Sequence, residues 1–183
     1  MFNLNEKNAI DILKNGGIGV IPTDTVYGLV GSALSKEIVE RIYKVKGRDV
    51  KKPFVVLISS LNDLKKFGIS VQSSLNKYWP GKISIVLPCK NKKFIYLHRG
   101  MKSIAFRLPS KKSLVEILKK TGPLVSTSAN LSYLKSAENI NEAKKYFKND
   151  VDFYLPGGTL KGKPSVLIKF DKNGEVEVLR GKL

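Results

Sequence analysis

The sequence predicts a single α/β domain over residues 1–183, with a twisted mixed β-sheet flanked by helices and a basic concave site. Three observations carry the fold. Segments with strand-like alternation are interleaved with segments whose apolar residues recur at helical spacing. "SIVLP", "FIYLH" and "IAFRLP" follow one another with no helix between them, so the sheet is expected to be mixed rather than purely parallel. No repeat, low-complexity tract or Pro/Gly/Ser linker divides the chain, and 183 residues suit one core.

The elements follow in order. Residues 5–15 set Ala9, Ile10 and Leu13 at helical spacing and stop at Gly16-Gly17. "GIGVIP" (17–22) reads as a buried strand and "TDTVYGL" (23–29) as a loop or tight turn. Ser35 suits the cap of a helix that buries Ile38, Val39, Ile42 and Val45. "FVVLI" (54–58) is short and β-branched, hence a core strand, while "SVQSSLNKYW" (70–79) is expected to be helical up to Pro80-Gly81. "KISIVLP" (82–88), "SIAFRLP" (103–109) and "SVLIKF" (165–170) alternate as strands, and "EVEVL" (175–179) closes a terminal hairpin after "DKNG". "SLVEILKK" (113–120) is helical, "PLVSTS" (123–128) is a strand entering a polar loop, and Asn139 with Glu142 forms a capping box for a helix through Phe147.

Lys and Arg number 33 against 15 Asp and Glu, a formal charge of +18, so polyanions are attracted. Residues 44–53, "KVKGRDVKKP", hold five cations and one acid. A solvated basic surface, a nucleic-acid clamp and an anion pocket all fit that stretch, and the polar residues elsewhere favour the pocket. No apolar run approaches the roughly 20 residues needed to cross a bilayer, so no membrane association is expected. The opening segment reads as a helix rather than a signal peptide. The single cysteine, Cys89, excludes an internal disulfide and a multi-cysteine metal site, which fits a cytoplasmic location.

"GGTLKGKPS" (157–165) imitates a phosphate-binding P-loop, but Pro164 stands where Ser or Thr would hold magnesium, and a strand follows instead of a helix. No dinucleotide fingerprint, RRM octapeptide, KH loop or zinc knuckle is present. His98, the only histidine, reads as a polar residue at a strand end. What remains is a set of polar residues beside strand ends: Thr25, Lys46, Arg48, Arg107 and "STSAN" (126–130). Arg107 shares a strand face with Ala105 while Ile104 and Phe106 take the other, so it needs a ligand, a distant acid or solvent at the strand end. The Ser/Thr/Asn cluster fits local turn chemistry as well as ligand binding.

In register, "GGIGVIPTDTVYGLV", the K-x-R of "KGR", "KPFVVLI", "WPGKISIVLP", "SIAFRLP", the S-x-N of "STSANLS" and "PSVLIKF…VLRG" resemble the YrdC/Sua5 family of threonylcarbamoyl-AMP synthases in its compact, single-domain form. The resemblance implies a nucleotidyltransferase that condenses L-threonine, bicarbonate and ATP to threonylcarbamoyl-AMP and pyrophosphate. It implies magnesium (Mg2+) entering with ATP, held by phosphates and water, and no metal site on the protein. A downstream threonylcarbamoyl transferase complex then modifies adenosine 37 of tRNA. Position by position, the resemblance places Lys46 and Arg48 as catalytic cations. Thr25, Arg107 and Ser165 fall on threonine, and Arg48, Lys52, Ser128, Asn130, Ser136 and Arg180 on ATP, with Tyr27 shaping the wall. Asp24, Asp49, Lys52, Leu57 and the short "RGKL" depart from the family's usual residues. A non-enzymatic RNA-binding protein of the same fold is the rival expectation, with tRNA or rRNA on the basic cavity.

Overall fold

A computed structural model describes residues 5–71 and 73–183, and within them a nine-stranded mixed sheet carries helices on both faces. Helix α1 (Glu6–Lys14) buries Ala9, Ile10 and Leu13, and the Asn5 side chain caps it by accepting from Asn8 N–H at 3.0 Å. Strands β1 (Gly19–Pro22) and β2 (Tyr27–Ser32) form an antiparallel hairpin. Helix α2 (Lys36–Lys46) starts on the Ser35 cap and ends at Gly47, whose φ of 60° turns the chain out of the helix. Strand β3 (Val55–Leu57) follows, then two short 3-10 segments at Leu61–Phe67 and Ser73–Lys77, and β4 (Ile83–Pro88). The short helix α3 (Ile95–His98), β5 (Ser103–Arg107), α4 (Lys112–Thr121) and β6 (Leu124–Ser128) come next. Helix α5 (Ile140–Phe147), β7 (Phe153–Tyr154) and the hairpin of β8 (Val166–Phe170) with β9 (Val176–Arg180) complete the order.

The strands run β7-β1-β2-β6-β3-β5-β4-β8-β9. The β7/β1, β3/β5 and β4/β8 pairs are parallel and the others antiparallel, which makes the sheet mixed as expected. Alternate side chains enter opposite layers. Val20, Leu29, Val56 and Val125 join the larger cluster with α2, α3 and α5, while Ile21, Val30, Leu57 and Leu124 pack with α1 and α4. Both faces are therefore apolar, and polar side chains at strand ends are the exceptions that mark a site.

Three expected elements differ. The stretch 23–29 is not all loop: the turn closes at Val26, and Tyr27 begins β2. Its glycines concealed the strand, and one of them is required by packing. A Cβ on Gly31 would meet Ile38 Cγ2 at 2.6 Å, so its absence lets α2 lie on the sheet. "FIYLH" is helical, because the Asn91 side chain caps the segment by accepting from Lys93 N–H at 3.0 Å and Phe94, Tyr96, Leu97 and His98 all turn into the core. His98 is therefore a buried helix-end residue, with Nδ1 accepting from Gly100 N–H at 3.1 Å. Of the helix expected at 70–79, the described residues form only the 3-10 turn at Ser73–Lys77, and Gln72 lies outside them.

Candidate functional site

The β1–β2 turn supplies the first wall. Thr23 Oγ1 donates to Val26 O at 2.6 Å and accepts from Thr25 N–H at 3.1 Å, which fixes Thr25 at the tip. Arg107 reaches it from the end of β5. Its Nη1 donates to Thr25 Oγ1 at 3.1 Å, and its Nη2 forms an ion pair with Asp24 Oδ1 at 3.1 Å. Only 5% of Arg107 is exposed, and its Nε has no hydrogen-bond partner within the protein. Burial lowers its pKa, Asp24 opposes that shift, and Arg180 adds to it. Asp24 is thus the acid that Arg107 lacked in its own stretch of sequence.

A single cavity is lined by Thr25, Arg48, Arg107, Ser128, Ser165 and Arg180, with Phe54 and Leu57 among its apolar walls. Ser165 Oγ lies 2.8 Å from Ser84 Oγ, a polar residue at an inward position of β4. Arg180, at the end of β9, donates through Nη2 to Ser165 O at 3.0 Å. Arg48 donates through Nε to Lys52 O at 2.8 Å. Burial lowers the pKa of Arg48 and of Arg180, and the charge of Arg48 pushes Arg180 down further. Three guanidinium groups therefore face one space, and no Asp or Glu lines it among the described residues. Such a space takes anions.

The other expected site residues lie outside that lining. Lys46, at the last position of α2, is 2% exposed, and its ammonium donates to Ser128 O at 2.7 Å, Asn130 O at 2.8 Å and Asn130 Oδ1 at 2.9 Å. Burial, then Arg48, pull its pKa down to about 7, while the three oxygens favour the charged form. The Asn130 amide is fully engaged: Oδ1 also accepts from Ser128 Oγ at 2.6 Å, and Nδ2 donates to Leu131 O and Leu134 O. Lys46 and Asn130 thus hold the loop that presents Ser128. Lys52 has an exposed side chain and offers the site its carbonyl. Ser136 is half-buried, beside Ala137, whose N–H bonds Ala129 O at 2.9 Å. Tyr27 is buried and accepts from Gly157 N–H at 2.9 Å while donating to Gly158 O at 2.8 Å. It therefore anchors the segment that delivers Pro164 and Ser165 to the cavity.

Sequence reasoning missed Ser84 and the loop-holding role of Lys46. Both left a signal: Ser84 stands between apolar residues in an alternating strand, and Lys46 continues the buried stripe of Val39, Ile42 and Tyr43 on α2.

The family model for Sua5, YciO and YrdC proteins, described as "Telomere recombination", matches residues 11–181. This chain belongs to that Sua5/YciO/YrdC family. A threonylcarbamoyl-AMP synthase from Pseudoalteromonas translucida is 31% identical over 178 residues, covering 92% of this chain and 94% of its own. The fold matches Escherichia coli YciO with a TM-score of 0.82 at 25% identity, over 97% of this chain and 90% of that one. It also matches Pyrococcus abyssi Sua5 complexed with L-threonine, with a TM-score of 0.87 at 24% identity, over 98% of this chain and 55% of that longer one. Within the Sua5/YciO/YrdC fold, the three-arginine cavity lies among the β1–β2 turn, the end of β5 and the β8–β9 hairpin.

Proposed function

We propose that this chain is an L-threonylcarbamoyladenylate synthase, joining L-threonine, bicarbonate and ATP into threonylcarbamoyl-AMP and pyrophosphate. The carrying observation is the convergence of Arg48, Arg107 and Arg180 on one cavity beside the Thr25, Ser128 and Ser165 hydroxyls. The synthase named above, similar along most of both chains, supports the same activity.

In this reading Arg107, pre-aligned by Asp24 and Thr25 and lining the cavity, receives the amino-acid carboxylate. Once the substrate ammonium gives a proton to solvent, its nitrogen attacks the bicarbonate carbon; the C–OH bond breaks, and the hydroxyl leaves as water with a second amine proton, giving a carbamate. A carbamate oxygen then attacks the α-phosphorus of ATP as the bond to pyrophosphate breaks. Two anions must approach each other, and fixed cations in a site with little water offset that repulsion. Arg48 and Arg180 face the space where the phosphates would lie, and Ser128, the last residue of β6, is held by Lys46 on its carbonyl and by Asn130 on its hydroxyl.

In this proposal magnesium enters with the nucleotide. The cavity's oxygen donors are hydroxyls and carbonyls, and the described residues contain no group of three His, Cys, Asp or Glu side chains that could hold a metal ion. That donor set does not fit a protein-held ion. Delivery of the product to a threonylcarbamoyl transferase that acts on tRNA is part of the same proposal, as is a cytoplasmic location. No described helix is long and apolar enough to cross a membrane.

The test is pyrophosphate release from ATP by the purified chain, with mass spectrometry of the product. Release that requires both L-threonine and bicarbonate, with formation of threonylcarbamoyl-AMP, is expected; hydrolysis of ATP indifferent to both would refute the proposal.

A further inference from the structure

Arg48 stands beyond the end of α2, after Gly47 has turned the chain, so the helix itself does not fix its side chain. Backbone carbonyls do: Nε donates to Lys52 O at 2.8 Å and Nη2 to Pro53 O at 3.4 Å. The guanidinium also lies 5.5 Å over the Phe54 ring. A loop carbonyl steadies an arginine only if something steadies the carbonyl. Lys52 O is held by a second donor, the Tyr43 hydroxyl, at 3.2 Å. The Tyr43 ring stacks on Phe54 with centroids 4.1 Å apart and an interplanar angle of 28°. Tyr43 therefore touches two of the three supports on which Arg48 rests, the Lys52 carbonyl and the Phe54 ring.

Tyr43 is itself tightly placed. It lies on the buried stripe of α2, and the Arg99 guanidinium sits 4.2 Å over its ring. Arg99 is in turn paired with Glu40, one turn earlier on α2, at 2.9 Å. The column Arg99, Tyr43, Phe54, Arg48 thus runs from the helix layer to the cavity wall. Tyr43 is 3% exposed and does not line the cavity, so it acts on any ligand through Arg48.

We infer that Tyr43 is a positioning residue: its hydroxyl and ring hold the Lys52 carbonyl and the Phe54 ring where the Arg48 guanidinium docks. The catalytic consequence rests on the reading that Arg48 serves the triphosphate of ATP. Without the hydroxyl, Lys52 O keeps one donor in place of two, and Arg48 spends part of its time in other rotamers.

The test uses Tyr43→Phe, Arg48→Ala and the double variant, with pyrophosphate release measured against ATP and against L-threonine. Tyr43→Phe is expected to lower kcat/KM for ATP by about threefold to tenfold, the range of one hydrogen bond. The KM for threonine, which the Arg107 end of the cavity would bind, should stay at the wild-type value. Arg48→Ala should lose far more, and adding Tyr43→Phe to it should change nothing further. An independent arm follows the Arg48 Nε–H proton by NMR, assigned by its disappearance in Arg48→Ala; its exchange with water should quicken in Tyr43→Phe. Wild-type kinetics in Tyr43→Phe alongside a damaged Arg48→Ala overturns the positioning role, as does unchanged Nε–H exchange. If Arg48→Ala keeps full activity, the assignment of Arg48 to ATP fails, and the exchange measurement still decides whether Tyr43 holds Arg48.

Discussion

Arg107 Nη1 donates to Thr25 Oγ1 at 3.1 Å, across 82 positions of sequence, and that bond joins the β1–β2 turn to the end of β5. The same guanidinium pairs with Asp24, so one buried cation organises two consecutive residues of the turn. Replacing Asp24 with Asn leaves Arg107 buried without its counter-charge. The expected cost is about 3 kcal/mol of stability, read as a lowered urea midpoint. Arg107→Ala removes the charge as well and should raise the KM for threonine far more than that for ATP. Equal losses for both substrates would separate Arg107 from the carboxylate.

Lys46 gives a pH dependence with a definite sign. Its pKa in the fold is about 7, against 10.5 for a free lysine, so between those values the unfolded chain holds more protons than the folded one. Stability contributed by this group therefore rises as pH rises above about 7 and is reduced below it. Against a Lys46→Met variant, which lacks the titration, the wild type should gain about 2–3 kcal/mol between pH 6 and pH 9. Urea titrations of both proteins at the two pH values check this, and a constant difference would place the Lys46 pKa outside that window.

Gly162 is seated on the backbone of the turn. A Cβ there would collide with Thr25 O, a backbone atom with no rotamer to yield. Gly162→Ala should displace the segment that carries Ser165 and shift Thr25, with the sheet intact. The expected result is a loss of turnover on the order of tenfold or more, with far-UV circular dichroism unchanged. Near-wild-type turnover would show that the segment is free to move away from Thr25.

Much of this architecture is legible in the order of apolar segments. The mixed sheet is as expected, but not for the reason given by "SIVLP", "FIYLH" and "IAFRLP": "FIYLH" is helical and separates β4 from β5, and the consecutive strands without a helix between them are the hairpins β1–β2 and β8–β9. "FIYLH" misled because β-branched and aromatic residues fit a strand as well as a short capped helix filling a core. β2 was hidden by Gly28 and Gly31, which weaken a strand signal yet are where α2 and β6 approach closely. For the site, residue types at strand ends pointed to Thr25, Lys46, Arg48, Arg107 and residues 126–130, and the family resemblance added Ser165 and Arg180; of these Thr25, Arg48, Arg107, Ser128, Ser165 and Arg180 share the cavity, and Lys46 lies behind it. The pairing of Asp24 with Arg107 was invisible, because it depends on which strands adjoin. The inward turn of Lys46 was readable from helix phase and was overshadowed by the surrounding run of cations.

Arg180 comes from β9 and Ser165 stands just before β8, whereas Thr25 comes from the β1–β2 turn, which is translated well before them. On the ribosome, the earlier strands can emerge and begin to pair while the far side of the hollow is still missing. A chain translated only as far as β7 therefore lacks one wall of this hollow, and Arg180 joins Arg48 and Arg107 only once β9 has been made.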